Sequence, residues 1–280
     1  MIIFVLVVLG LILGSFVNAL VWRVREQSRS ITRRKKNIES SKDLSIVHGR
    51  SMCPNCHHTL AAKDLLPVLS WLELRGKCRY CQKAISWQYP LVEVLTSLLF
   101  VVSYIWWPLE FNAMGTINFI VWLIVLTGFM TLFVYDLKWL LLPNRIVYPL
   151  VVVSGVMALI NILVFDGGLH MAGDVAISLL IASGIFYGLF QVSKGKWIGG
   201  GDVKLGLIIG FVIGVPLQAF LVLFTASLIG TMTVLPGLVS KKIKATSRIP
   251  FGPYLIVGTI IIKIFGASIV HWYRTRFLLY

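Results

Sequence analysis

Charge is what this chain lacks. Only 13% of its 280 residues are charged, whereas 58% are hydrophobic and the mean hydropathy is +0.86. A composition so poor in charge excludes an ordinary water-soluble domain and implies a chain embedded in a membrane. The apolar segments also lack the period-two alternation of a transmembrane barrel, so the spans are helices. Runs of about 17–25 apolar residues cross a bilayer as helix. The expected spans are 1–22, 91–107, 117–135, 146–165, 173–191, 204–215, 217–238 and 251–270, the sixth being short and ending at Pro216. The first, "MIIFVLVVLGLILGSFVNALVWRV", has no positive residues ahead of its apolar run, which excludes a cleaved secretory signal and leaves a retained anchor. Gly10 and Gly14, with Ser15 and Asn18 beside them, read as a helix-packing face.

Positive charge is abundant and unevenly placed. Of 26 Lys and Arg, 23 fall in 23–89, 136–145, 192–204 and 239–250, and none falls in 108–116 or 166–172. The bias toward basic cytoplasmic loops puts the first four segments in the cytoplasm and both termini outside. Lys263, Arg274 and Arg276 run against this pattern, and snorkelling would carry Lys263 to the interface. The net charge of +15 invites a nucleic-acid reading of "RVREQSRSITRRKKNIESSKD" at 23–43, but a juxtamembrane basic run is already required by topology and anionic lipid. Membrane lipids, and not nucleic acid, are therefore the expected partner, with 25–47 a flexible insertion.

The chain's only four cysteines form two pairs, "CPNC" at 53–56 and "CRYC" at 78–81. Two such pairs can wrap a tetrahedral Zn2+ with the thiolates of Cys53, Cys56, Cys78 and Cys81. Disulfides are the alternative, disfavoured in a reducing cytoplasmic loop. His57 and His58 are substitute ligands that a complete four-sulfur shell does not need. A closed thiolate shell has no open position for substrate, so the expected zinc is structural and staples a small domain packed by Leu and Trp of "LLPVLSWLELRGK".

Acidic residues number only 11, and charge at the end of a span is costly enough to mark function. Asp136 ends the third span and Asp202 opens the sixth at the same face. Asp174 lies at the far end of the fifth span, roughly 30 Å away, and reads as a charge complementing a helix N-terminus. Two carboxylates at one depth share a proton, giving a base to activate water and an acid to protonate a leaving group. Gly199, Gly200 and Gly201 before Asp202 would let the backbone turn tightly and an extended substrate approach. The alternative is a flexible membrane-entry turn with an isolated Asp.

In these motifs the chain resembles the type IV prepilin peptidases, also called leader peptidase/N-methyltransferases, which are GxGD-type membrane aspartyl proteases. The resemblance runs through "GSFVNALVWRV" at 14–24, "CPNC", "LSWLELRGKCRYCQKAISWQYPLVEVLT" at 69–96, "YDLKWLLLPNRI" at 135–146, "GGGDVKLG" at 199–206 and "PFGPYL" at 250–255. It implies catalytic aspartates at Asp136 and Asp202 and a tetracysteine zinc motif at Cys53, Cys56, Cys78 and Cys81. It further implies cleavage of the leader of type IV prepilins or pseudopilins after a glycine, at the cytoplasmic face of the bacterial inner membrane. Methylation of the new N-terminus by S-adenosylmethionine follows, in service of pilus assembly, type II secretion or DNA uptake. Asn144 departs from the family, which commonly has Asp after this proline. Glu93 in "YPLVEVLT" is a weak candidate for holding the substrate amine, its alternative being a plain interfacial residue.

The expected architecture is an all-α polytopic membrane protein of about eight transmembrane helices with a small zinc-stapled cytoplasmic loop domain. It divides into a first helix at 1–22, a basic and zinc-binding part at 23–90 and a peptidase part at 91–280. Two other classes compete. A proton-coupled transporter would use intramembrane Asp residues and broken helices, but near the midplane and with internal repeats. A membrane-anchored zinc adaptor would leave the paired aspartates unexplained.

Overall fold

Continuous apolar sequence folds as helix in a membrane because only helix satisfies every backbone N–H and C=O within the segment. A computed structural model describes residues 1–32, 45, 49–164, 168–241 and 249–277, and among them there is helix but no strand beyond two isolated bridges. Among the described residues, seven helical segments are long and apolar enough to span: Ile2–Ser28, Gln88–Ile105, Ala113–Trp139, Asn144–Val164, Gly168–Ser193, Pro216–Val239 and Gly252–Arg276. The expected short sixth span is the 14-residue helix Gly200–Ile213. At 1.5 Å per residue it reaches about 21 Å, well short of a bilayer core.

The chain divides into two compact units, Met1–Ile105 and Trp106–Tyr280. The first therefore takes in the helix that follows residue 90. It holds α1 (Ile2–Thr32), the short α2 (Leu69–Glu73) and α3 (Gln88–Ile105). The expected packing face is where α1 meets α3. A Cβ on Gly10 would collide with the Cα of Ser97, and one on Gly14 would stand 2.6 Å from the Cα of Glu93. Backbones approach this closely only where side chains are absent, which is how helices associate without a hydrophobic driving force. Polar contacts finish the seam: Ser97 Oγ donates to the Val7 carbonyl (3.1 Å), and the Asn18 amide donates to the Tyr89 carbonyl (3.0 Å). α1 continues through residues 25–32, part of the expected flexible insertion; 33–44 and 46–48 lie outside the described residues. Arg23, buried near the end of the span, donates to the Gly49 carbonyl (2.8 Å) and so ties the returning chain to α1.

The second unit holds α4 (Ala113–Trp139), α5 (Asn144–Val164), α6 (Gly168–Leu179), a π-helical turn at Leu180–Gly184, α7 (Ile185–Ser193), α8 (Gly200–Ile213), α9 (Pro216–Val239) and α10 (Gly252–Phe277). Its fully buried large side chains lie on α4, α8 and α10: Leu126, Phe129 and Leu132; Leu205, Ile208 and Ile209; Leu255, Ile256 and Ile262. α5, α6, α7 and α9 keep long exposed apolar stripes, as helices bordering lipid should. α8 can sit at the centre because it is narrow. A Cβ on Gly206 would strike the Ala182 carbonyl oxygen, and one on Gly210 would come 2.8 Å from Leu179. The π turn opposite supplies Ser183, whose Oγ donates to the Val203 carbonyl (2.8 Å).

Two expectations for charged residues need correction. Lys263 does not snorkel out: its Nζ donates to the Val212 carbonyl at 2.9 Å, taking up one of the unpaired carbonyls at the C-terminal end of α8. Asp174 lies beyond the first turn of α6, too far along to complement its N-terminus, and stands 3.4 Å from His170 one turn earlier. Arg274 and Arg276 occupy the last turn of α10, where cations suit the dipole.

Candidate active site

Asp136 lies one turn before the C-terminal end of α4 and is 5% exposed. The helix ends there because Leu140 turns left-handed (φ 54°) and donates its N–H to the Asp136 carbonyl at 2.8 Å. Asp202 is the third residue of α8, and its carboxylate accepts the N–H of Gly199, the residue that caps the helix. This is the acidic half of a capping box, and it holds the side chain back over the helix end. The fold brings these two carboxylates, one from a helix end and one from a helix start, close enough for the charge of Asp136 to act on Asp202.

A third element completes the arrangement, and the sequence had given it no role. α10 begins at Gly252, whose N–H donates to the Asp136 carboxylate. A Cβ on Gly252 would stand 2.6 Å from Asp136 Oδ2. Leu142 packs between the two glycine-bearing helix starts. Its side chain is 3.1 Å from a Cβ placed on Gly201 and 3.7 Å from one placed on Gly252. The signal for Gly252 was present in "PFGPYL", a glycine held between prolines, but nothing local to that hexapeptide shows that it faces Asp136.

The glycine run before Asp202 differs from the tight turn expected of it. Gly199 has ordinary extended geometry (φ −75°, ψ 144°), while Gly200 and Gly201 are helical. The turn itself is made earlier by Lys194 and Gly195, both at positive φ. Gly201 is the member whose missing side chain is needed for packing, against Leu142. Around Gly199 and Gly200 a Cβ would meet only ordinary contacts, so the α8 start presents a low, open surface beside Asp202. Asn144, at the start of α5, accepts a hydrogen bond from Lys204 Nζ at 2.8 Å, a partnership a neutral amide serves without adding charge.

In the first unit the sulfurs of Cys53, Cys56, Cys78 and Cys81 all lie within 4.8 Å of one another, and those of Cys53 and Cys81 are 3.9 Å apart. Four sulfurs around one tetrahedral ion at about 2.3 Å would be separated by about 3.8 Å, so the cluster fits a metal ion. Each pair is built the same way. His57 and Gln82, each four residues after the first cysteine of its pair, are left-handed (φ 56° and 57°). Each donates its N–H back to that cysteine's carbonyl at 2.9 Å. Bridges Met52–Thr59 and Lys77–Ala84 then close two equivalent knuckles. The His58 backbone favours the Cys56 thiolate, but burial and the neighbouring Cys53 and Cys81 sulfurs prevail and push this thiol up to about 11. A dication relieves that crowding by making adjacent thiolates compatible. His57 and His58 are exposed and outside the sulfur cluster, and His58 stacks on Tyr80 with ring centroids 3.7 Å apart.

A polar brace joins the second knuckle to the loop ahead of α2. Arg79 Nε pairs with Asp64 at 2.8 Å and Tyr80 donates its hydroxyl to the same carboxylate at 3.1 Å. Burial works against the charge on Asp64, but Arg79, Tyr80 and the Ala61 N–H together hold its carboxyl below the usual range. The expected Leu and Trp core is only half present. Trp71 packs on Trp87 (centroids 4.1 Å apart) and donates to the Ile85 carbonyl, while Leu65, Leu66, Leu69 and Leu72 are exposed. Glu93 is buried at 6% exposure. Its carboxylate accepts the Val68 N–H at 2.7 Å and a hydrogen bond from Ser15.

Comparison with known proteins agrees with this division. Residues 8–107 match the model of the bacterial peptidase A24 N-terminal domain, and residues 117–235 match that of the type IV leader peptidase family. A prepilin leader peptidase/N-methyltransferase of Aeromonas hydrophila is 33% identical over 96% of this chain and 92% of its own. One of Bacillus subtilis (strain 168) is 32% identical over 96% of each. A type 4 prepilin-like proteins leader peptide-processing enzyme of Escherichia coli O78:H11 is 33% identical over 90% of this chain and 89% of its own. No solved structure gives a significant match.

Proposed function

The chain belongs to the type IV leader peptidase family, and from that membership we propose that it removes the leader of type IV prepilins or pseudopilins and methylates the N-terminus so exposed. The observation that carries the cleavage reading is that Asp136, at the end of α4, and Asp202, at the start of α8, flank the same Leu142 and Gly252, with the charge of Asp136 acting on Asp202. Two carboxylates that share one site favour a singly protonated pair. The ionised member takes a proton from water as the water oxygen attacks the scissile carbonyl carbon. The protonated member gives its proton to the departing amine as the C–N bond breaks, which leaves the new carboxylate and amine and returns one shared proton to the pair. The open α8 start at Gly199 and Gly200 gives an extended peptide access to Asp202.

The cysteine cluster is assigned structural Zn2+ held by Cys53, Cys56, Cys78 and Cys81, whose sulfur shell leaves no position for substrate. S-adenosylmethionine, when bound, supplies the methyl group. No residue is assigned to hold it, because the described residues contain no strand to present a nucleotide-binding glycine loop. Glu93 remains the candidate for the substrate amine. An ionised carboxylate has about four lone-pair sites, and Val68 and Ser15 use two.

The basic-loop bias supports a bacterial inner-membrane location with the carboxylates facing the cytoplasm, where a prepilin leader emerges. A proton-coupled transporter is disfavoured because it would need its carboxylates near the midplane, whereas Asp136 and Asp202 lie within one turn of their helix ends. The test is incubation of the purified chain with a prepilin-like peptide and with its pre-cut form. Leader release from the first and methyl incorporation into the second are expected. Intact peptide after incubation with a folded, metal-loaded chain overturns the reading.

A further inference from the structure

The exposed leucines ahead of and within α2 are not scattered. Trp87, just ahead of α3, and Leu91, Val94 and Leu98 of α3 form an exposed stripe whose spacing places it on one helical face, and this face borders lipid. Trp87, 73% exposed, heads the stripe where the span begins, the depth at which tryptophan concentrates in membrane proteins. Trp71 of α2 packs on Trp87. α2 is thus seated beside the top of the lipid-facing stripe and not above it in water.

Its height is set by a second, independent contact. The Val68 N–H, at the residue just before α2, donates to Glu93. Glu93 is five residues into α3, about 7.5 Å along its axis. Val68 holds a left-handed backbone (φ 61°) that β-branched residues avoid, so the tether fixes an otherwise unfavourable bend. A loop tied in this way to the second turn of α3 keeps Leu65, Leu66, Leu69 and Leu72 beside the start of the span, yet all four are exposed, Leu69 at 64%. Exposed Lys63, Arg75, Lys77 and Lys83 outweigh the exposed Glu73 between residues 63 and 83, leaving the net positive charge an anionic headgroup layer attracts.

We propose that residues 65–72 form a wedge inserted into the bilayer interface, the leucines entering the acyl boundary of an anionic leaflet and the basic residues meeting its phosphates. The wedge presses the cysteine-cluster unit onto the membrane surface. It is independent of the peptidase reading, since it rests only on α3 being a span.

The test uses the full chain, metal-loaded, in vesicles of phosphatidylglycerol and phosphatidylcholine, with Leu69 or Leu72 replaced in turn by photoreactive benzoylphenylalanine. Irradiation should yield lipid adducts at both positions. Removing phosphatidylglycerol should lower that yield about fivefold, the weight of one basic side chain at an anionic surface. Amide exchange on the unaltered chain gives a second reading: residues 65–75 should be protected in vesicles, and Leu69→Ser with Leu72→Ser should abolish the protection. Adducts to an added prepilin-like peptide in place of lipid would make this surface a substrate dock and overturn the proposal. Rapid exchange of the unaltered segment in vesicles would also overturn it.

Discussion

Gly252 leaves no room for a side chain because Asp136 stands against it: the nearest carboxylate oxygen is 2.6 Å from where a Cβ would be. The same glycine gives its N–H to that carboxylate, so one residue both positions Asp136 and feeds it a hydrogen bond. Gly252→Ala must therefore displace either Asp136 or the start of α10. Cleavage should fall by about 10²-fold or more, the scale of a misplaced reacting group. Methylation of a pre-cut peptide should stay near normal. Unchanged cleavage in the alanine variant would show that Gly252 is a packing residue alone.

Asp136→Asn and Asp202→Asn should each lower cleavage by about 10²- to 10⁴-fold, and the double variant should be scarcely worse than either, because groups acting as a unit lose activity non-additively. Single-turnover cleavage rates measure this. Multiplicative losses would mean two independent roles.

The purified chain should carry about one Zn2+, and Cys53→Ser should lose it. Asp64→Asn should weaken metal retention by loosening the Arg79–Tyr80 brace on the second knuckle. The folded carboxyl of Asp64 is held low, so its stabilising effect is present above the ordinary carboxylate value of about 3.9 and is lost as pH falls through the lower folded value. The gap in metal retention between the two proteins should accordingly be constant from pH 7 to 5 and close in stronger acid. Metal titrations at fixed pH would show it, and a gap that opened as pH fell would contradict the brace.

Lys263→Met should release the C-terminal end of α8 from α10. Hydrogen bonds to charged groups contribute about 1.5–3 kcal/mol, so thermal stability in detergent should fall measurably. Cleavage should fall with it while pre-cut methylation changes less. Equal losses in both activities would assign Lys263 to general stability.

The spans were legible because a bilayer demands unbroken apolar sequence, and the short α8 was legible because Pro216 ends the run. The places of Asp136 at a helix end and Asp202 at a helix start could be reasoned from where the apolar runs stop and begin. Gly252 could not, since its partner is distant in sequence and its meaning is steric. The glycines at 199–201 misled in a particular way. Glycine suggests left-handed backbone, but here two of the three simply begin a helix, and the left-handed residues are Lys194 and Gly195. Charge alone sends Lys263 to the interface, whereas its destination depends on α8 stopping within its reach.

α8 and α10 both begin at the carboxylate pair and run in the same direction. From Asp202 to Val212 is ten residues of α8, about 15 Å, and from Gly252 to Lys263 is eleven residues of α10, about 16.5 Å. The starts of these helices meet through Asp136 and Leu142, and Lys263, midway along α10, bolts it to the far end of α8. The two segments are thus struts of a closed frame, and their similar lengths hold the starts of α8 and α10 at one level. One residue inserted into α8 after Ile209 would swing Asp202 by about 100° relative to the bolted end. The frame would still stand while Asp202 was turned away from the side of α8 that Leu142 and Asp136 occupy.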